Sequence, residues 1–111
     1  MARFKRNVTV TFTQTNLWLI EAFDQAMRAV VGMDSFVTSG LEGTHSPNSG
    51  HYYGRALDFR SHHLSQAHKD MVLEKVKAYL TEHAKGTYYV SLEQPGTDNE
   101  HFHAQRNKGS F

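Results

Sequence analysis

Polar and apolar residues alternate from Val8 to Thr13 in a stretch rich in β-branched side chains, which predicts a first strand. Thr15 or Asn16 stands where a helix cap is wanted. Ile20, Phe23, Met27 and Val30 then recur at helical spacing until Gly32 ends the run. Ser35 to Thr38 reads as a short strand. From Ser39 to Gly54 the pattern breaks into Gly40, Gly43, Gly50 and Gly54 with Pro47, Asn48 and several Ser and Thr, which predicts a long loop of the kind that carries function. Alternation resumes in a strand from Ala56 to Arg60. Ser65 caps a second helix that turns Val72, Val76, Tyr79 and Leu80 inward and stops at Gly86. Thr87 to Leu92 is a strand, Gln94 to Asn99 a turn around Pro95-Gly96, Glu100 to Gln105 a last strand, and Asn107 to Phe111 a tail. This order predicts an α+β fold, a small and mostly antiparallel sheet with two main helices packed on it.

A length of 111 residues fits one domain spanning the whole chain. No apolar run approaches the ~20 residues of a membrane helix, so no membrane insertion is expected. Met1-Ala2-Arg3-Phe4-Lys5-Arg6 is basic but leads into the alternating stretch, not into the apolar core of an export signal. Synthesis in the cytoplasm without a signal peptide is therefore expected. A net charge of +1 argues against an electrostatic grip on nucleic acid. The absence of cysteine excludes disulfides, thiolate metal sites and a Cys nucleophile. The unusual feature is histidine, present eight times. Imidazole is the commonest metal ligand and titrates nearest neutrality.

His62, His68 and His83 lie beside or on the second helix, where a solvated face accounts for them. His51 and Asp58 are more telling. The chain between them leaves the Gly-rich loop, passes Gly54 and enters a strand through the small Ala56, so it can bend to bring both side chains to one ion. His63 and Asp70 share the spacing but span a helix start without glycine. In Glu100-His101-Phe102-His103 the two imidazoles fall on one face of a strand. His51, Asp58 and one of these imidazoles would make the three-ligand set of a hydrolytic zinc site, with a position left for water. Glu100 is then a candidate to take a proton from that water, provided the turn or a bulge brings it round to the face of His103. Glu42 and His45 form a rival pair inside the loop. The plainer alternative is a sheet face that merely carries several histidines.

The run Ser49-Gly50-His51-Tyr52-Tyr53-Gly54-Arg55-Ala56-Leu57-Asp58 resembles the S-x-H-x-x-G-x-A-x-D signature of the zinc D-Ala-D-Ala carboxypeptidase-like peptidases. That group includes L-Ala-D-Glu peptidases and phage endolysins and is related to the sonic hedgehog amino-terminal domain. Glu100-x-x-His103 resembles the family's second motif, and His101-x-His103 the His-x-His pair of the wider group; the resemblance runs from Thr38 to Gln105. It implies a hedgehog-like and D-Ala-D-Ala peptidase-like fold, one Zn2+ held by His51, Asp58 and His103, and Glu100 as general base and then acid. It implies further that His101 steadies substrate or oxyanion and that Ser49 fixes the ligand loop or binds substrate. The family's cation after an upstream Ser-Gly is missing, since Leu41-Glu42-Gly43-Thr44-His45 follows Ser39-Gly40. Arg55, Arg60 or His45 stands in for it. The activity implied is hydrolysis of peptide bonds in peptidoglycan stem peptides by a monomeric, phage endolysin-like enzyme at the bacterial cell wall, with Tyr52 and Tyr53 walling the cleft. Carboxypeptidase and endopeptidase both remain open. A non-catalytic zinc module of the same fold is the alternative, and a histidine-metal nuclease, suggested by Arg106 and Lys108, a third.

Overall fold

A computed structural model describes residues 2–10, 13–40 and 55–107. Its first helix, α1 (Gln14–Val31), begins two or three residues earlier than the candidate caps suggest. The Thr13 hydroxyl accepts the Asn16 backbone N–H at 3.1 Å and is the true cap, while Thr15 and Asn16 are buried in the first turn. Gly32 ends α1 in the left-handed conformation at φ 67°, returning its N–H to the Arg28 carbonyl. The second helix, α2 (Gln66–His83), starts from Ser65, whose hydroxyl accepts the His68 N–H at 3.2 Å.

The strands are β1 (Arg3–Phe4), β2 (Phe36–Ser39), β3 (Ala56–Arg60), β4 (Tyr88–Glu93) and β5 (His101–Arg106). They form one mixed sheet in the order β1-β2-β3-β5-β4. β1 runs parallel to β2, and every other neighbouring pair is antiparallel. The fold is thus α+β, two helices on a five-stranded sheet.

Of the expected Val8–Thr13 strand, residues 11 and 12 lie outside the described residues, and the remainder is not a strand. Asn7 turns the chain at φ 67°, and the edge strand forms earlier, at Arg3–Phe4. Val8 and Val10 are real apolar positions, since both pack against the core, but they do so without joining the sheet. The neighbouring Thr9 carbonyl lies so close to Gly40 that a Cβ there would collide with it. The apolar stripe of α1 is also rotated from the expected one. Leu19, Ala22, Phe23, Ala26 and Met27 are fully buried, whereas Ile20 and Val30 are only partly so.

Alternation along β3 and β5 divides the sheet. Leu57, Phe59, Phe102 and Ala104 face the helices, and Phe23 of α1 stacks on Phe59 with ring centroids 4.0 Å apart. Val72, Val76 and Leu80 of α2 complete this core. Asp58, Arg60, His101 and His103 therefore lie on the opposite, helix-free face. Among the described residues no helix is long and apolar enough to cross a membrane.

Candidate functional site

Register builds the site. In the β3–β5 ladder Asp58 is opposite His103, and in the β4–β5 ladder Ser91 is opposite His103 and Glu93 opposite His101. The pairing places the two strand motifs side by side although 45 residues separate Asp58 from His103. His103 Nδ1 lies 2.8 Å from Asp58 Oδ1, and both residues are buried. The far ring nitrogen, Nε2, donates to Gln105 Oε1 at 2.8 Å. Burial alone would lower the His103 pKa, but the hydrogen bonds to Asp58 and Gln105 and the negative charges of Asp58 and Glu93 outweigh it and raise the pKa.

An imidazole nitrogen and a carboxylate oxygen are donors of the kind a divalent zinc ion takes, and Asp58 and His103 supply two of them. Here Nδ1 donates to Asp58 Oδ1; without that proton Nδ1 would be a ligand nitrogen beside a carboxylate oxygen, the remaining ring proton being held at Nε2 by Gln105. At ordinary zinc bond lengths two tetrahedral ligands sit about 3.3 Å apart, so the pair needs to open by only about half an ångström. Among the described residues no three side chains are grouped to hold a metal. The expected third ligand, His51, lies outside the described residues, as do Ser49, His45 and the Tyr52-Tyr53 pair. Ser91 Oγ is buried beside His103 with no hydrogen-bond partner among the described residues, a polar atom turned into the same site.

His101 is fixed from one side and open on the other. Its Nδ1 donates to the Asn99 carbonyl at 2.6 Å. Its Nε2 faces Glu93 Oε1 at 3.5 Å and Asp58 Oδ2 at 3.7 Å. The ring therefore shares the aspartate with His103 and brings in Glu93, a carboxylate that the motifs do not contain.

Glu100 is placed elsewhere. It precedes β5 and keeps the alternation of the strand, so it turns toward α2 and not toward Asp58. One oxygen accepts from Ser61 Oγ at 2.7 Å and lies 2.8 Å from Lys69 Nζ. The other accepts from Lys69 Nζ at 3.0 Å and from the Gly96 N–H at 3.1 Å. These donors, Lys69 first and Ser61 next, hold the carboxyl well below its usual range, at about 2. The turn does not bring the Glu100 carboxylate round to the face of His103, the condition on which its role as base rested. Arg55 is likewise structural in its described contacts. It is buried, and its guanidinium donates to the Arg106 carbonyl at 3.1 Å, tying the start of β3 to the end of β5.

Gln105, Glu93, Ser61 and Lys69 were not legible as site or support residues. Gln105, two places after His103, follows from the alternation of β5, and Glu93 from the β4–β5 register once the length of the hairpin turn is known. Ser61 and Lys69 depend on how α2 returns across the sheet. No family model matches the chain, and neither the curated proteins nor the solved structures searched give a match.

Proposed function

We propose that this chain is a zinc peptidase that hydrolyses peptide bonds in the stem peptides of bacterial peptidoglycan, acting as a monomer in the manner of a phage endolysin. A hedgehog-like and D-Ala-D-Ala peptidase-like arrangement of helices and sheet belongs to the same proposal. One observation carries it: Asp58 and His103, drawn from two motifs far apart in the chain, meet at 2.8 Å on the helix-free face of the sheet. Their neighbours are those of a ligand pair, since Gln105 fixes the ring and Asp58 is shared with a second imidazole.

With His51 as third ligand, a bound zinc ion would polarise the scissile carbonyl and lower the pKa of attacking water. Asp58 would supply negative charge to hold the ion, and Gln105 would keep the remaining ring proton of His103 on the nitrogen away from it. His101 Nε2, facing Asp58 with its other nitrogen committed to Asn99, is the described group best placed to accept and return a proton on this face. Glu100 holds the turn before β5 from behind. The alternative, a non-catalytic zinc module, draws support from that same feature, because a glutamate bound by Ser61 and Lys69 is not a free base.

The test is purified peptidoglycan incubated with zinc-loaded protein, with and without chelator, and read by mass spectrometry. The expected result is about one zinc per chain and chelator-sensitive release of D-Ala or of new amino termini. Intact muropeptides in both arms, with zinc bound, would leave the non-catalytic module.

A further inference from the structure

On its β4 side the candidate site is bounded by a side chain that no motif predicts. On the helix-free face β4 presents Tyr89, Ser91 and Glu93 opposite Gln105, His103 and His101 of β5. Glu93 reaches His101 and Ser91 Oγ is buried beside His103, which leaves Tyr89 at the rim. Its ring reaches the diagonal neighbour, His103, with ring centroids 6.2 Å apart and planes at 52°. A diagonal cross-strand neighbour is about 7–8 Å away, a gap that aromatic and long side chains can close.

Two adjacent tyrosines divide β4 between the faces of the sheet. Tyr88 packs against the core, and its hydroxyl donates to the Lys85 carbonyl at 3.0 Å. Tyr89 is 48% exposed, and among the described residues its hydroxyl has no hydrogen-bond partner. A half-exposed tyrosine on a sheet is ordinary, and a phenylalanine would pack beside His103 equally well. Place and chemistry set this one apart. The ring lies beside the imidazole that meets Asp58 at 2.8 Å, and it ends in an unspent O–H donor at the edge of the site.

We propose that Tyr89 is a substrate-binding residue: its ring packs on the peptide side chain beside the bond seated at Asp58 and His103, and its hydroxyl donates to that bond's carbonyl oxygen. The inference deepens the peptidase reading and rests on it for the identity of the peptide, though not for the donor beside His103. A carbonyl oxygen gains negative charge as its carbon is attacked, so a donor already fixed in place grips it more strongly then than at rest. The sheet supplies the fixing. Tyr89 is paired with Gln105, and the Gln105 side chain is itself tied to His103 Nε2.

The test removes the hydroxyl and its acceptor separately. The stem pentapeptide L-Ala-γ-D-Glu-L-Lys-D-Ala-D-Ala is titrated by NMR into metal-free protein with labelled tyrosine rings. Two analogues are titrated beside it, in which an (E)-alkene replaces the L-Ala–D-Glu or the D-Ala–D-Ala amide and so removes its carbonyl oxygen. The expected result is a saturable shift of the Tyr89 ring. Tyr89→Phe should weaken the pentapeptide about threefold to tenfold, the worth of one hydrogen bond, and Tyr89→Ala about tenfold or more. With one of the two alkenes the Tyr89→Phe penalty should vanish, and that analogue names the bond seated at the site. Tyr89 is half-exposed, and thermal unfolding of both variants checks that the fold is intact. No binding of the pentapeptide, a Tyr89→Phe protein that binds it like the parent, or a penalty that persists or vanishes with both alkenes overturns the proposal. Hydrolysis by the zinc-loaded protein is measured in parallel. If it is absent while hydroxyl-dependent binding persists, the peptidase reading fails and Tyr89 still binds the peptide. If hydrolysis proceeds and binding does not depend on the hydroxyl, the proposal for Tyr89 alone fails.

Discussion

Replacing Glu100 by Gln distinguishes a structural anchor from a catalytic base. In the folded chain the carboxylate is nearly sealed, 4% exposed, and Lys69 beside it is 12% exposed. Removing one partner of a buried, hydrogen-bonded ion pair typically costs about 3–5 kcal/mol, because the other charge is left stranded. Gln keeps the shape and can still accept from Lys69, so the expected loss is nearer 1.5–3 kcal/mol, roughly the worth of a hydrogen bond to a charged group. The depressed pKa gives an independent bound. A fall from 4.5 to about 2 corresponds to at most about 3 kcal/mol, and screening near the open turn brings this to about 1–2 kcal/mol. The sign follows from the direction of the shift: the contribution is fully present above the unfolded pKa of 4.5 and is lost as pH falls toward about 2.

Urea unfolding of the parent, Glu100→Gln, Lys69→Met and the double variant, at pH 7 and in steps down to pH 2.5, measures these quantities. At pH 7 each single variant should be destabilised, the double variant by less than the sum, with a coupling on the order of 2 kcal/mol. The gap between parent and Glu100→Gln should close as the pH drops through the window. Assayed below its unfolding temperature, zinc-loaded Glu100→Gln should keep hydrolysis within about tenfold of the parent, since a lost general base costs about 10²–10⁴-fold. A variant as stable as the parent but crippled by a thousandfold would refute the reasoning, for it would mean that the carboxylate leaves Ser61 and Lys69 to work on the other face.

Gln105→Leu should preserve the fold yet weaken zinc binding by about 10–100-fold, read by competition with a chromogenic chelator, because the ring of His103 loses the partner that fixes its proton; unchanged affinity would remove Gln105 from the site. Gly40→Ala should destabilise the protein by about 1–3 kcal/mol in thermal unfolding, since the added Cβ meets the Thr9 carbonyl and backbone yields poorly; a neutral result would detach residues 8–10 from the end of β2.

The elements read well wherever a periodic apolar pattern ended in a chemically distinct residue. Ser65 caps α2, Gly32 ends α1, and β3 has the bounds its alternation suggests. β2, β4 and β5 each begin one residue later than expected. The first strand failed for a physical reason. Val8 and Val10 alternate because every second residue packs on the core, and period two records burial, which a chain can satisfy without a strand partner. The sheet edge is taken instead by Arg3 and Phe4, which carry no strand-like pattern. The meeting of Asp58 and His103 was legible for a different reason. Asp58 and His103 each sit inside a short local motif, and their meeting needs only that β3 and β5 be neighbours in the right register. Glu93 carries no local mark, and its place depends on a pairing that only the assembled sheet defines.

Glu100 and His101 show how narrow that dependence is. They are adjacent in sequence, and the pleat sends them to opposite sides of the sheet: one to a lysine on a helix, the other to the aspartate of the candidate site. The helix side is where a charge is held still, since Lys69, Ser61 and the Gly96 amide leave Glu100 no free lone pair to offer a substrate. The helix-free side is where polar groups keep reactive atoms unspent, His101 Nε2 among two carboxylates and Ser91 Oγ without a partner among the described residues. A one-residue bulge at Glu100 would put the glutamate on the same face as His101 and His103 without moving either imidazole. The Gln94–Gly96 turn, with Gln94 at φ 50° and Gly96 at φ 79°, therefore keeps Glu100 on the helix side, and the Gly96 N–H that binds Glu100 is part of what holds it there.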